Sequence, residues 1–388
     1  MRFPEFHGEW EKCKLGDIAT LTKGSGISKD QRSATGTPCI LYGELYTTYK
    51  SEVIDYVVSK TDISDKNLVR SCANDIIIPS SGETAIDIST ARCVLSPDVL
   101  LGGDLNIIRL KDGDGRFFSY QLNGVRKHDI AKIAQGVSVV HLYGESIKGL
   151  TVSFPSNKEQ QKISTLLSLI DERIATQSKL IEDLKKLKSA ITEKLYSEIQ
   201  GKEYSYRQLF EIINERNNRL EFSNVLSASQ ERGMVSREDL NLDIKFERSN
   251  INTYKIVRNG DYVIHLRSFQ GGFAFSDIVG VCSPAYTIMR PKDLLEYGYL
   301  SYYFTSRQFI KSLVIVTYGI RDGRSINVDE WFDMKIVIPT KEQQHHIVRT
   351  IKVFENKIEN EEMYASCLLK QKQHLLRREC KLNCVKLQ

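Results

Sequence analysis

The sequence predicts an α+β protein in which two similar mixed α/β globular domains are separated by two long antiparallel coiled-coil helices. Three observations lead to this expectation. One helix-start motif occurs twice, an apolar heptad pattern follows each copy, and the segment before each copy is repeated more loosely. The chain has 388 residues, 41% of them hydrophobic, which is enough for two or three domains with cores of their own.

The helix-start motif reads PSNKEQQKI at 155–163 and PTKEQQHHI at 339–347, so one offset of 184 residues aligns both ends. The second and fifth residues of each copy are Ser or Thr and Glu or Gln, the spacing of a capping box. The proline that opens each copy ends the preceding strand. We therefore expect two helices that begin in the same way.

After each motif, positions spaced alternately by four and three residues are mostly apolar for nearly five heptads, which is typical of a coiled coil. The polar interruptions also coincide at the offset of 184: Gln177 matches Glu361, and Lys188 matches Lys372. Polar residues at such seam positions cost stability and fix the register. The predicted apolar seam residues are Ile163, Leu167, Ile170, Ile174, Ile181, Leu184, Ile347, Ile351, Phe354, Ile358, Leu368 and Leu375.

The repeat predicts four segments: a globular domain over 1–154, a long helix over 155–200, a second globular domain over 201–338, and a second long helix over 339–388. A helix of about 40 residues is about 60 Å long. Two such helices, paired antiparallel as the tandem order suggests, would suit a ligand with two separated and similar subsites. Loop lengths differ between the two domains, and loops that vary on a retained scaffold usually carry specificity.

Several classes of function are not supported by the sequence. It contains no phosphate-binding loop, no GxGxxG, HExxH or GxSxG, and no Asp/Asn-Pro-Pro-aromatic motif of amino-methyltransferases. The eight cysteines are scattered without a CxxC pair, so we predict neither a metal site nor a disulfide framework. We predict no catalytic residue either. Without a secretion signal or an apolar run of about 18 residues, the expectation is a cytoplasmic protein outside the membrane.

Bulk charge does not indicate a nucleic-acid partner. Residues 1–154 contain 18 basic and 19 acidic side chains, and residues 201–338 contain 18 and 17. Any basic surface must come from local clusters, such as the one in the Gly-rich loop TKGSGISKDQR. Arginine and glutamine can read base edges with two hydrogen bonds each, although every such cluster could also be a solvated loop without a partner.

The sequence resembles the specificity subunits of type I restriction–modification systems over essentially its whole length. Its opening RFPEFHGEW with the following KLGDI resembles the usual start of that family, and the two helix-start motifs resemble its two central repeats. One departure is that the second motif carries Glu342 one place early and His345-His346 where a basic pair is commoner. This departure hardly affects the resemblance.

The resemblance implies that each globular domain is a target recognition domain that reads one half of a split, asymmetric DNA site. The paired helices would set the unread gap and dock two modification subunits, which bind S-adenosylmethionine and methylate adenine. Restriction subunits would add translocation and cleavage driven by ATP, with Mg²⁺, as in phage defence. This chain would hold no cofactor and would not be an enzyme by itself.

On the same grounds, we predict that loop side chains of both domains contact the bases. In the first domain these are Lys23, Lys29, Arg32, Ser80, Ser81, Gln135 and Ser138, and in the second they are Ser229, Gln230, Arg232, Arg267, Gln270, Arg321 and Arg324. Two alternatives remain open: a coiled-coil scaffold that joins other proteins without binding DNA, and a complete enzyme with an unrecognised active site.

Overall fold

The computed structural model describes residues 3–63, 67–229, 232–240, 248–265, 272–318 and 325–381. The chain divides into two compact units. Unit 1 comprises Met1–Lys179 with Glu362–Gln388, and unit 2 comprises Leu180–Glu361. Each unit contains one globular domain together with one segment of each long helix. Because the units divide both helices, the four predicted segments stay a prediction about domain boundaries.

Unit 1 is built on a central antiparallel sheet that gains one parallel edge strand. Its strands are β1 (Glu11–Lys14), β2 (Ala19–Lys23), β3 (Thr37–Ile40), β4 (Val53–Ile54), β5 (Ser59–Thr61), β6 (Asp75–Pro79), β7 (Ser81–Gly82), β8 (Arg92–Val94), β9 (Leu100–Leu101), β10 (Leu105–Leu110), β11 (Val140–His141) and β12 (Thr151–Phe154). Its helices are α1 (Leu15–Ile18), α2 (Glu44–Thr47), α3 (Ala85–Ile88), α4 (Gly115–Asn123), α5 (Lys127–Ile133), α6 (Gly144–Lys148) and the first part of α7 (Asn157–Ser197). The central sheet has the order β2-β10-β6-β8-β4, beside a smaller sheet β5-β3-β9 and the pairs β1-β12 and β11-β7.

In the described part of unit 2, the central sheet has four strands where that of unit 1 has five, and there are four two-stranded sheets where unit 1 has two. Its strands are β13 (Lys202–Ser205), β14 (Phe210–Ile213), β15 (Leu226–Ser229), β16 (Gly233–Ser236), β17 (Lys255–Val257), β18 (Tyr262–Ile264), β19 (Phe273–Phe275), β20 (Gly280–Cys282), β21 (Thr287–Pro291), β22 (Thr317–Tyr318), β23 (Ser325–Ile326) and β24 (Lys335–Ile338). Its helices are α8 (Tyr206–Leu209), α9 (Tyr299–Phe304), α10 (Arg307–Ser312), α11 (Val328–Asp333) and the first part of α12 (Lys341–Lys381). The central sheet has the order β14-β21-β18-β19, with the pairs β13-β24, β15-β16, β17-β20 and β22-β23.

The two central sheets share one framework, including a buried ion pair at the same place. Asp75 at the start of β6 accepts hydrogen bonds from Nε and Nη2 of Arg109 on β10, at 2.8 and 2.7 Å. Asp261, just before β18, accepts the same two bonds from Arg290 on β21, at 2.9 and 3.0 Å. Each aspartate also accepts from the main-chain amide three residues earlier. A buried carboxylate is tolerated when paired in this way, and the matching pairs support the sequence repeat at the level of side-chain contacts.

The sixth residue of each helix-start motif, a glutamine in both copies, joins the long helix to its domain. Gln160 Oε1 accepts from the main-chain amide of Asp114 at 3.0 Å, and Gln344 Oε1 accepts from that of Glu296 at 2.8 Å. In both copies the side-chain amide donates to the carbonyl of the proline five residues earlier. Each glutamine is nearly fully buried. The repeated motif therefore fixes both the start of the helix and its attachment.

The seam of the long helices packs into the domain cores as well as along the helices. All twelve predicted seam residues are buried or half-buried. Leu167 of α7 belongs to the core of unit 1, which Leu376 near the end of α12 also enters. Ile351 of α12 belongs to the core of unit 2, which Tyr196 near the end of α7 also enters. Each domain is therefore packed on segments of both helices.

The two helix segments run in opposite directions within each unit. In unit 1, Asp171 faces Lys372, and two residues later on α7 the guanidinium of Arg173 lies over the ring of Tyr364, earlier on α12. In unit 2, the end of α7 clusters with the start of α12, whereas Lys188 reaches further along it. These contacts confirm the predicted fold class. None of the helices in the described ranges has the length and apolar character that crossing a membrane requires.

Candidate nucleic-acid interface

A cleft of about 830 Å³ in unit 1 contains two of the basic residues predicted to contact DNA. Lys29 and Arg32, both exposed, line it together with Gln31 from the same loop and Tyr42 from the segment before α2. Cavities of this size are typical of ligand sites. Lysine, arginine, glutamine and tyrosine side chains supply hydrogen-bond donors and an aromatic face, which are the groups that contact nucleotides.

A buried carboxylate orients the arginine of this cleft. Nη1 of Arg32 lies 3.6 Å from Oε1 of Glu44, which is only 6% exposed and also accepts from the amide of Leu41 at 2.9 Å. Nε of Arg32 donates to the carbonyl of Lys29 at 3.3 Å. The arginine side chain keeps 39% of its surface exposed. Its guanidinium is thus held in position while still reaching solvent, as base reading requires.

The thiol beside the cleft is not a nucleophile. Cys39 is fully buried on β3, and burial, followed by the neighbouring charge of Glu44, raises the pKa of its thiol to about 11. A thiol with such a pKa is protonated near neutral pH and unreactive. The cleft therefore offers binding chemistry rather than covalent catalysis at this residue.

A close approach between two glycine-containing segments places the basic loop. A Cβ atom on Gly24 would lie 2.0 Å from the carbonyl oxygen of Gly102, so only glycine fits there. The main-chain amide of Gly24 donates to the carbonyl of Leu105, and that of Ser25 donates to the carbonyl of Leu101, both at 3.0 Å. This contact brings the loop after β2 against the segment before β10, and Asp104 of that segment lines the cleft.

A second surface of unit 1 gathers three more predicted residues around β11. Ser81 on β7 pairs with His141, and Gln135 exchanges main-chain hydrogen bonds with His141 at 2.9 and 2.7 Å. Ser138 lies in the exposed loop between the two bonded residues. The rings of His141 and Tyr143 are stacked, with centroids 6.3 Å apart. Polar groups and an exposed ring stack therefore share this surface.

The cleft and the β11 surface are joined through Ser80 and Asp104. The amide of Ser80 donates to the carbonyl of Asp104 at 2.7 Å, and its hydroxyl lies 3.4 Å from Oδ1 of Asp104. Ser80 is 7% exposed, so its position is that of a structural residue rather than of an exposed base contact. Lys23 pairs across the sheet with Asn106, whose side chain donates to the carbonyl of Leu142 at 2.8 Å. Exposed Lys23 thus lies at the same end of the sheet.

In unit 2 only part of the predicted set can be placed. Five of the seven predicted residues lie outside the described residues: Gln230, Arg267, Gln270, Arg321 and Arg324. Ser229 ends β15, and its hydroxyl accepts from the amide of Arg232 at 3.3 Å, one residue before β16 begins. Arg232 lines a cleft of about 600 Å³ that Lys352 and Glu355 of α12 also line. Arg232 therefore lies on the side of the domain that meets the helix segments.

Four side chains at these two surfaces were not among the sequence candidates: Gln31 and Tyr42 at the cleft, and His141 and Tyr143 at β11. His141 and Tyr143 are two positions apart, the spacing that puts strand residues on one face. An exposed aromatic pair at this spacing after a glycine-containing loop is a signal that could have identified them.

Comparison with known proteins shows which class of protein this chain resembles. A family model described as the type I restriction modification DNA specificity domain matches residues 7–186, which include most of the first globular domain and most of α7. The chain is 23% identical to a putative type I restriction enzyme specificity subunit of Methanocaldococcus jannaschii, over 92% of this chain and 89% of that one. It is 33% identical to a putative type I specificity subunit of Mycoplasma genitalium, over 48% of this chain and 45% of that one.

The fold is also that of solved structures. The crystal structure of the type I restriction–modification S subunit from M. genitalium matches with a TM-score of 0.58 at 15% identity, over 97% of both chains. A structure from work on complex assembly and conformational transition of the type I system matches with a TM-score of 0.59 at 13% identity, again over 97% of both. Residues 7–186 therefore match the type I DNA specificity domain, and over most of its length the chain is similar to type I specificity subunits.

Proposed function

We propose that the chain reads a bipartite, asymmetric DNA site, one half with each globular domain, and directs an adenine methyltransferase to it. The observation that carries this proposal is the shared framework of the two units, down to the Asp–Arg pair and the buried glutamine of each copy. Two similar readers on one chain suit a target with two separate halves.

The DNA surface proposed for unit 1 consists of the cleft and the adjoining β11 surface. Arg32 and Gln135 have the side chains best suited to base edges, because each can form two parallel hydrogen bonds. Lys23 and Lys29 are suited to phosphates, which position the protein without specifying sequence. Tyr143, exposed beside His141, offers an aromatic face to the backbone or bases.

The proposal includes partners that supply what this chain lacks. With nearly equal numbers of acidic and basic residues in each domain, much of the phosphate contact would come from two modification subunits docked on the helices. Those subunits would bind S-adenosylmethionine, and restriction subunits would bind ATP and Mg²⁺. The proposed setting is the cytoplasm, where the target DNA is accessible.

An arginine substitution in the cleft tests base reading. The complex of this chain with its modification subunits should lose about 1–3 kcal/mol of affinity with Arg32→Ala and accept more than one base at a single position. Lys29→Ala should weaken binding to all DNA sequences alike, and it should reduce the number of counterions released on binding by about one. Arg70→Ala, an exposed arginine that does not line the cleft, is the matched control. Identical specificity and salt dependence for Arg32→Ala and Arg70→Ala would remove the cleft from the proposed interface.

Mapping methylation separates the proposal from the alternative of a scaffold that joins proteins without reading DNA. Genome-wide mapping of methylated adenines should show a two-part motif, and exchanging residues 1–154 for another recognition domain should change only one half. A complex that assembles but shows no sequence preference would favour the scaffold.

Lengthening the helices tests whether they set the gap between the halves. A seven-residue insertion in both α7 and α12 keeps the seam on one face and adds about 10 Å, or about three base pairs of DNA. We expect the gap to lengthen by about that amount while both halves stay the same. Altered bases within a half, with an unchanged gap, would contradict this function of the helices.

A further inference from the structure

In unit 1 a lysine at a seam position ties the domain to both helix segments. Nζ of Lys372 on α12 lies 2.5 Å from Oδ1 of Asp171 on α7 and 2.5 Å from Oε2 of Glu52 in the domain. Oδ2 of the same aspartate accepts from the hydroxyls of Tyr120 at 2.8 Å and Ser51 at 3.1 Å, both from the domain. The lysine and both carboxylates are at most 11% exposed. Three parts of the unit thus meet at one buried polar cluster.

Unit 2 contains a cluster of the same chemistry. Nζ of Lys188 on α7 lies 2.7 Å from Oε1 of Glu355 on α12, and Oε2 of that glutamate accepts from the hydroxyl of Tyr302 at 2.7 Å. In both clusters the lysine also lies over the tyrosine ring, 5.9 Å from the centroid of Tyr302 and 5.6 Å from that of Tyr120. We call each set of lysine, carboxylate and tyrosine a polar clamp.

The two clamps are related by the sequence repeat, with the helices exchanged. Asp171 and Glu355 differ by 184 positions, as do Lys188 and Lys372. The two tyrosines also correspond, since each ends a three-residue segment that is Phe-Ser-Tyr at 118–120 and Leu-Ser-Tyr at 300–302. In unit 1 the carboxylate comes from α7 and the lysine from α12; in unit 2 the origins are reversed. A chance surface ion pair would not recur with this exchange.

Stability alone does not account for charges at these positions. In unit 1 the ion pair is buried, and such a pair is often no more stable than apolar residues of similar volume. In unit 2 the side chains of Lys188 and Glu355 keep 31% and 39% of their surface exposed, and a pair that is so accessible to water contributes little to stability. Its established use at a coiled-coil seam is to specify register, because a shifted helix leaves the charge without its partner. Burial raises the pKa of both clamp tyrosines, so each remains a protonated donor. The clamps therefore favour one placement of the domain on its helix pair.

We propose that Lys188 and Lys372 are positioning residues for DNA recognition: each clamp holds one domain at a single place along the helix pair, so that its half-site is accepted at one distance from the other. This inference rests on the proposed function. The proposed function attributes the length of the gap between the half-sites to the length of the helices. The present inference adds that the two polar clamps determine how far a gap can depart from that length and still be accepted.

The clamp of unit 2 allows a charge-reversal test. Lys188→Glu places two acidic groups together, and the double variant Lys188→Glu/Glu355→Lys restores an opposite-charge pair. Lys186→Glu, two positions away on the same helix and 68% exposed, is the matched control. Each variant is assembled with its modification subunits, and methylation rates are measured on DNA carrying both mapped half-sites with the native gap or a gap altered by one base pair.

For Lys188→Glu we expect the preference for the native gap to fall about tenfold, the factor that one charge-assisted hydrogen bond supports. The bases read in both halves should stay the same. The double variant should recover most of the preference, and Lys186→Glu should keep it. Tyr302→Phe, which removes one hydroxyl only, should show a smaller loss in the same direction.

A uniform loss of methylation at every gap, or a lower melting temperature with unchanged gap preference, would mean that the clamp is merely structural and would overturn the inference. Should Lys188→Glu not assemble, Tyr302→Phe and the double variant decide by the same criterion. If the complex with the unsubstituted chain methylates no two-part DNA motif, the proposed function itself is wrong. That outcome differs from an unaltered gap preference in the variants, which would contradict only the inference about the clamps.

Discussion

Alanine substitutions two positions apart on each long helix test how the helices are joined to the domains. Leu167 is 1% exposed and belongs to the core of unit 1, whereas Leu169 is 56% exposed. At the offset of 184, Ile351 is fully buried in unit 2 and Val353 is 61% exposed. The repeat therefore provides two buried sites, each with an exposed control of similar chemistry.

The expected losses follow from burial. Truncating buried Leu167 to alanine removes three carbons, worth about 0.8 kcal/mol each. The cavity left behind raises the total to about 3–4 kcal/mol, and the same holds for Ile351→Ala. Leu169→Ala removes carbons that are mostly hydrated already, so it should cost about 1 kcal/mol or less. Val353→Ala should cost less still, because valine is smaller and alanine favours the helix.

Urea unfolding followed by circular dichroism measures these free energies, and hydrogen exchange shows which unit is affected. Leu167→Ala should weaken protection in unit 1 and Ile351→Ala in unit 2. Equal losses for the buried and the exposed member of either pair would refute the assignment of the seam to the domain cores.

Two further predictions concern the ion pairs and the tyrosines. Asp261→Asn should lower the free energy of unfolding in urea by about 2–3 kcal/mol, because Arg290 loses its charged partner but stays one-third exposed to water. The exposed control Asp329→Asn should change it by less than about 0.5 kcal/mol. Equal effects of the two substitutions would contradict the structural role of the Asp261–Arg290 pair. Burial, followed by the hydrogen bond to Glu355, raises the pKa of Tyr302, so the folded chain keeps a proton that the unfolded chain loses above about pH 10. That stability is present below about pH 10 and is lost as the pH rises towards the folded pKa, so Tyr302→Phe should make the alkaline decline shallower by up to about 1.4 kcal/mol per pH unit. Phenolate absorbance and unfolding between about pH 9 and 11 measure this, and an unchanged slope would contradict the raised pKa of half-buried Tyr302.

The repeat and the two long helices could be predicted from the sequence because their signals are local. A proline, a cap and a heptad need only neighbouring residues, and the aligned segments around Asp75 and Asp261 proved to hold the same ion pair. The role of Gln160 could not be predicted, because its partner Asp114 lies 46 residues earlier and only the folded domain brings them together. The exchange of lysine and carboxylate between helices required the pairing of α7 with α12 to be known.

The candidate interface was only partly accessible to sequence reasoning. Residue type and loop context suggested Arg32 and Gln135, which are exposed, but equally suggested Ser80, which is 7% exposed and bonded to Asp104. The alignment between the two repeats gives no help in these loops, since their lengths differ. Contacts across the sheet, such as the one that places His141 beside Gln135, decide which loop residues share a surface.

The packing of Leu376 into the core of unit 1 has a consequence for protein synthesis. Residues 1–179 are translated long before position 376, so the first domain is synthesised before the α12 residues that complete its core. Unit 2, in contrast, is formed by one continuous segment, Leu180–Glu361. The apolar core of unit 1 can therefore be completed only after translation has passed Leu376.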